Sequence, residues 1–339
     1  VISVGYGNIF SILKPTLFIV LVGLIVVLGI AFLVAYAISY RFTKPVTRMI
    51  QSIQAFGTSA REDALVAPGL SRNLCVGEDF TQLEGIQNIS EEMAGFFSLG
   101  EGTIPFSNHL YEKIEPGKVT QLMTALLAVE RLNLGDEAVI EGDDRVYGKE
   151  ARGCGLQEGY HVTVKQLLNA VLVSSAEDAC QALARLTGGS QEAFVTLMNE
   201  RATELGMTNT HYANSTGYTS DEQYTTVYDI YLLLNEFLKY PDLLNAMSLP
   251  DYTINYTTPK DELKQRWLDS DNPFTAGKVT IPKDVTVLGG KTFTSKSNNY
   301  AALLTQNKYG EFYISIVFHA ETESALMERM SEMLSQTNR

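Results

Sequence analysis

With 339 residues, 45% apolar and 19% charged, the chain has the composition of a folded protein, and wholesale disorder is excluded. A formal charge of −13, with no Lys/Arg run to offset it, excludes nucleic acid as a partner, because nothing would neutralise phosphates. Three scattered cysteines (Cys75, Cys154, Cys180) and four histidines suit neither a disulfide framework nor a zinc site, so free buried thiols and no cofactor or metal are expected.

In chain order, residues 1–15 are expected to be the end of an upstream segment, since the first residue is Val1 and not Met. Thr16 to Tyr40 is an uncharged apolar run of about 25 residues, long enough at 1.5 Å per residue to cross a hydrocarbon core of about 30 Å. A transmembrane helix over 16–40 and single-pass attachment to the cell membrane are expected. Residues 41–97 read as a helical linker. After Pro45, Val46, Met49, Ile53 and Phe56 fall at a/d spacing. A polar connector follows from Gly57 to Gly77, and then a second amphipathic stretch places Leu83, Ile86, Met93 and Phe97 on one seam. Two short coiled-coil helices, a T-K-P opening (Thr43 to Pro45) and a G-E-D start (Gly77 to Asp79) together resemble a HAMP linker. That resemblance implies a parallel homodimer through these helices.

From Ser98 to Arg339 the pattern becomes mixed α/β. Apolar periodicity predicts helices over Thr120–Leu132, Val164–Val173, from Glu177 to the Gly188-Gly189 stop, through Phe194, Met198 and Leu205 to Gly206, and over Val227–Tyr240 before Pro241. Strands are predicted late: Thr253–Tyr256, Val285–Leu288, Tyr300–Thr305 and Phe312–Phe318, with a closing helix over Ser324–Leu334. Helices first and strands mostly last predict an α+β domain, an antiparallel sheet backed by a helical cluster.

Four collinear runs carry a resemblance: Pro116 to Ile140, Gly155 to Ser190, Glu204 to Tyr218 and Val287 to Leu304. They are similar to the D-alanyl-D-alanine carboxypeptidases, the low-molecular-weight penicillin-binding serine peptidases, over about 240 residues. The resemblance implies the penicillin-binding/β-lactamase-like fold for 98–339 and acyl transfer through S-x-x-K, S-x-N and K-T-G motifs. In that chemistry a serine attacks a peptide carbonyl and a lysine one helical turn later removes its proton.

At the matching positions the chain departs from the family. The first motif reads Lys118-Val119-Thr120-Gln121, pinned by Pro116 before it and Leu122 to Ala125 after it. An amine stands where the nucleophilic oxygen belongs, and an amide, which takes no proton at neutral pH, stands where the base belongs. The second motif reads Ser175-Ala176-Glu177, with a carboxylate in place of the asparagine. The third reads Lys291-Thr292-Phe293, with a phenyl ring crowding the strand edge where a glycine would let substrate approach. The seven positions Lys118, Gln121, Ser175, Glu177, Lys291, Thr292 and Phe293 therefore form a degenerate site with no intact catalytic set. Ser175, Lys291 and Thr292 remain candidates for binding a peptide carboxylate or another small anion. Two buried charges introduced together compensate each other where one alone would be costly, which predicts a Lys118–Glu177 ion pair. The Asn214-Ser215-Thr216-Gly217 run reads as a structural turn.

The expected function is a membrane-anchored, catalytically inactive carboxypeptidase-like protein acting as a ligand-binding or signal-relay module. The alternative is an active serine-type D-Ala-D-Ala carboxypeptidase of peptidoglycan metabolism. Arg41, Lys44 and Arg48 after the apolar run favour a cytoplasmic large domain, whereas the family resemblance implies an extracytoplasmic one.

Overall fold

The computed structural model describes residues 74–146, 152–295 and 298–338. All of them belong to one compact unit, Phe56–Arg339. The expected membrane span 16–40 and the first amphipathic helix lie outside the described residues. Among the described residues, no helix is long and apolar enough to cross a membrane.

Two antiparallel sheets and seven α-helices make up the described fold. The first sheet holds β1 (Met93–Ser98), β2 (Thr103–Asn108), β7 (Val285–Thr294), β8 (Asn299–Asn307) and β9 (Phe312–Phe318), in the order β2-β1-β9-β8-β7. The second holds β3 (Glu137–Val139), β4 (His161–Thr163), β5 (Asp251–Thr257) and β6 (Leu263–Asp269), in that order. The helices are α1 (Thr120–Arg131), α2 (Val164–Ser174), α3 (Glu177–Gly188), α4 (Gln191–Glu204), α5 (Val227–Phe237), α6 (Pro241–Met247) and α7 (Glu323–Gln336).

Both faces of the five-stranded sheet are covered, which is why every residue of β8 and β9 is buried, the apolar run Tyr300–Leu304 and the polar Asn299, Thr305, Gln306, Asn307 and Ser315 alike. On one face α7 lays Leu326, Met330, Met333 and Leu334 against Ala94, Phe96, Ala301, Leu303 and Val317. On the other, α5 meets the sheet through Tyr231 stacked on Phe97, ring centroids 4.3 Å apart. The four-stranded sheet packs Ile254, Tyr256 and Leu268 onto α2 and α3.

Local sequence sets the helix ends that matter for the site. Thr163 and Gln166 form a reciprocal capping box that starts α2. At its other end Ser175 adopts the left-handed conformation, φ 53° and ψ 38°. This reverses the chain in two residues, so α3 begins at once with Glu177 and Asp178 in its first turn, where the helix dipole favours carboxylates.

The predicted helices and late strands are all present, with corrections. The helical linker expected over 41–97 does not hold in its described part. Met93–Ser98 is a strand in the middle of the sheet, flanked by β2 and β9, and the seam of Leu83, Ile86, Met93 and Phe97 is not helical. Domain packing also starts before residue 98. Cys75 is fully buried, its N–H donates to Tyr231 Oη at 2.7 Å, and its carbonyl accepts Tyr228 Oη at 3.2 Å. The strands are not all late, because β1 and β2 precede every helix. Pro241 both ends the approach from α5 and opens α6, where its missing N–H costs nothing. All three cysteines are free and buried, as expected.

Candidate functional site

The site forms where the start of α1, the α2–α3 junction and β7 converge. A short 3-10 turn, Gly117–Val119, leads into α1 and presents Lys118 to the first turn of α3. There Lys118 Nζ pairs with Glu177 Oε1. The pair is well shielded, with side chains 12% and 3% exposed, so the expected ion pair across the cleft is formed. The second carboxylate oxygen, Glu177 Oε2, is buried without a partner among the described residues.

One turn along α1, Gln121 is fully buried and donates from Nε2 to the carbonyls of Thr216 (3.0 Å) and Ser175 (3.4 Å). It acts as a tie between three segments, with its amide nitrogen as the donor. The Asn214–Gly217 run is the structural turn expected: Asn214 Oδ1 accepts the N–H groups of Thr216, Gly217 and Tyr218.

Below this layer Lys291, from β7, is completely buried. Its Nζ donates to Val171 O at 2.6 Å and to Ser175 Oγ at 2.8 Å. Burial pushes the ammonium below its ordinary pKa, partly offset by the nearby Asp271 carboxylate. Ser175 Oγ in turn donates to Asp271 Oδ2, and Thr292 Oγ1 donates to the Asp271 carbonyl at 3.1 Å. The three proposed ligand contacts are therefore internally engaged: Ser175 and Lys291 are 0% exposed and Thr292 is 4% exposed.

Phe293 stacks on Tyr300 across the β7–β8 pair, ring centroids 5.5 Å apart, with the Arg152 guanidinium 6.0 Å above the Phe293 ring. Tyr300 Oη accepts the backbone N–H of Lys118 at 2.5 Å. The seven motif positions thus fall into two contact groups, Lys118, Glu177 and Phe293 with Tyr300, and Gln121, Ser175, Lys291 and Thr292 with Asp271, and the motif reading missed both Tyr300 and Asp271. Asp271 carries no local signature and lies far from Ser175 in sequence. Tyr300 was findable in principle, because strand register sets it opposite Phe293.

The D-alanyl-D-alanine carboxypeptidase (peptidase S11) family model matches residues 95–322. The chain belongs to the D-alanyl-D-alanine carboxypeptidase family. Among curated members it is 30% identical to the D-alanyl-D-alanine carboxypeptidase DacF of Bacillus subtilis (strain 168), over 69% of this chain and 58% of that one. It is 27% identical to DacC of Escherichia coli (strain K12), over 66% of this chain and 55% of the relative. The chain thus spans little more than half the length of these two relatives. Among solved structures, that of the Streptomyces K15 DD-transpeptidase superposes with a TM-score of 0.68 at 22% identity, covering 75% of this chain and 98% of that one. At that identity the likeness speaks for the fold.

Proposed function

We propose that this carboxypeptidase-family domain does not carry out serine acyl transfer and serves as a non-hydrolytic ligand-binding or signal-relay module on a single-pass membrane tether. The observation that carries the reading is the shielded Lys118–Glu177 pair, which sits where the family's nucleophile and substrate-binding amide would stand. An ammonium held by a carboxylate is no nucleophile, and Gln121, tied to two carbonyls, cannot deprotonate one. Loss of the nucleophile alone removes on the order of 10⁶ in rate in a comparable serine hydrolase. The tether, the side of the membrane on which the domain lies and a homodimer through the first amphipathic stretch, Val46 to Phe56, belong to this proposal and rest on sequence pattern.

The second reading is an active serine-type D-Ala-D-Ala carboxypeptidase of peptidoglycan metabolism. Taken alone, the comparisons support it better than the first, since the curated relatives carry that name. One contact favours it as well: Ser175 Oγ lies 2.8 Å from the buried Lys291 amine, a serine beside a lysine pushed toward its neutral form. Against it, Ser175 has no exposed surface and already donates to Asp271.

Incubating the full chain with a fluorescent penicillin separates the two. Under the first reading no covalent label survives denaturing electrophoresis. A stable labelled band, mapped to Ser175 or any other hydroxyl, establishes the second reading and removes the first.

A further inference from the structure

Tyr300, like Asp271, is a residue of the site that the altered motifs do not account for. Its ring is clamped between Phe293 and Phe318, with centroids 5.5 and 4.7 Å away, and it is 1% exposed. The hydroxyl reaches the backbone N–H of Lys118, at 2.5 Å, only because residue 117 is glycine. At φ 48°, a β-carbon on Gly117 would stand 2.2 Å from the Tyr300 oxygen. Gly117 is held from behind too, since a β-carbon on Gly217 would stand 2.0 Å from the Gly117 carbonyl oxygen. Burial raises the pKa of Tyr300, so the hydroxyl is neutral at physiological pH.

Acyl transfer to a serine places negative charge on the substrate's carbonyl oxygen. The backbone N–H of the nucleophilic residue itself is a recurrent donor to that oxygen. An amide has one proton, and at position 118 it is already given to a hydroxyl. We infer that Tyr300 is a built-in occupant of the carbonyl-oxygen site, blocking acyl transfer at position 118 independently of the missing nucleophile. Because the contact uses the backbone of residue 118, no side-chain change there releases it. The inference rests on the non-hydrolytic reading above and adds a second obstacle to it.

Two full-chain variants test the point: K118S/Q121K/E177N/F293G, and the same with Y300F, which deletes only the oxygen. In a restored site the serine oxygen bonds to the β-lactam carbonyl carbon, its proton passes by way of the lysine to the ring nitrogen, and the ring C–N bond breaks. The variant with Y300F is expected to take up fluorescent penicillin about 100-fold faster than the one without it, the worth of one such donor. Equal rates, or no labelling of either while both give folded circular-dichroism spectra, overturn the inference.

Y300F alone, in the otherwise unchanged protein, guards against variants that fail to fold. Its Lys118 amide should exchange with deuterium at least about 10-fold faster than in the parent, as expected for a freed buried N–H, and unchanged exchange overturns the inference. Labelling of the unmodified chain would instead remove the non-hydrolytic reading, so the two failures are distinguishable.

Discussion

Glu177 and Asp178 are consecutive buried carboxylates in the first turn of α3, and they are held in opposite ways. Asp178 accepts backbone N–H groups from Cys154 (2.9 Å), Gly155 (3.0 Å), Leu156 (3.1 Å) and Ala179 (2.9 Å). Glu177 faces the cleft, where one oxygen pairs with Lys118 and the other has no partner among the described residues. The scaffold residue is satisfied chiefly by main chain, with the Cys154 thiol adding one side-chain contact. The cleft residue depends on a single side chain, so the two positions had to change together. A fold framed by contacts of the first kind can lose its chemistry without losing its shape.

The sharpest way to break this contrast is Asp178→Ala. It strands a set of backbone donors at once and should destabilise the domain by about 4 kcal/mol, since hydrogen bonds to charged groups are individually strong. A loss under about 1 kcal/mol in urea unfolding would show that the carboxylate does not frame the 154–156 segment. Lys118→Ala comes next, leaving Glu177 buried and unpaired at a cost of about 3 kcal/mol. Adding Glu177→Gln should recover at least about 1 kcal/mol of that loss, read as coupling in a double-mutant cycle. Strict additivity would mean that the pair contributes nothing.

Lys291 sharpens the contrast through pH. Burial lowers its pKa from 10.5, so the unfolded chain binds more protons between the lowered value and 10.5. Stability contributed by this group therefore rises with pH across that window. Lys291→Met should flatten the rise in denaturation midpoint, and parallel pH profiles for parent and variant would contradict it. The smallest effect is expected at Glu137→Ala. Glu137 pairs with His161 while 63% exposed, and its removal should shift stability by under about 0.5 kcal/mol.

Legibility in the sequence followed burial. The helices α1 to α5 were readable because their apolar residues recur over more than two turns between clear start and stop residues, even where, as in α1, nine consecutive residues from Thr120 to Ala128 are buried. β9 was readable because it is apolar at every position but Ser315 and is preceded by a turn. β1 was misread because it is buried on both faces, so Met93 and Phe97 match a helical seam as well as a strand. β6, with only Leu268 buried, offers almost no pattern at all. At the site, the Lys118–Glu177 pair could be anticipated because two opposite charges replaced neighbouring motif positions. Asp271 could not, since only the folded chain brings it to Ser175.

The position of β1 has a consequence for biosynthesis. The β1–β2 hairpin leaves the ribosome early, yet the neighbour on its other side is β9, beginning at Phe312. At synthesis rates of 5–20 residues per second, the roughly 200 intervening residues take about 10 to 40 seconds. For that interval the nascent hairpin shows an unpaired, apolar strand edge, making it the part of the chain most in need of shelter from misassembly.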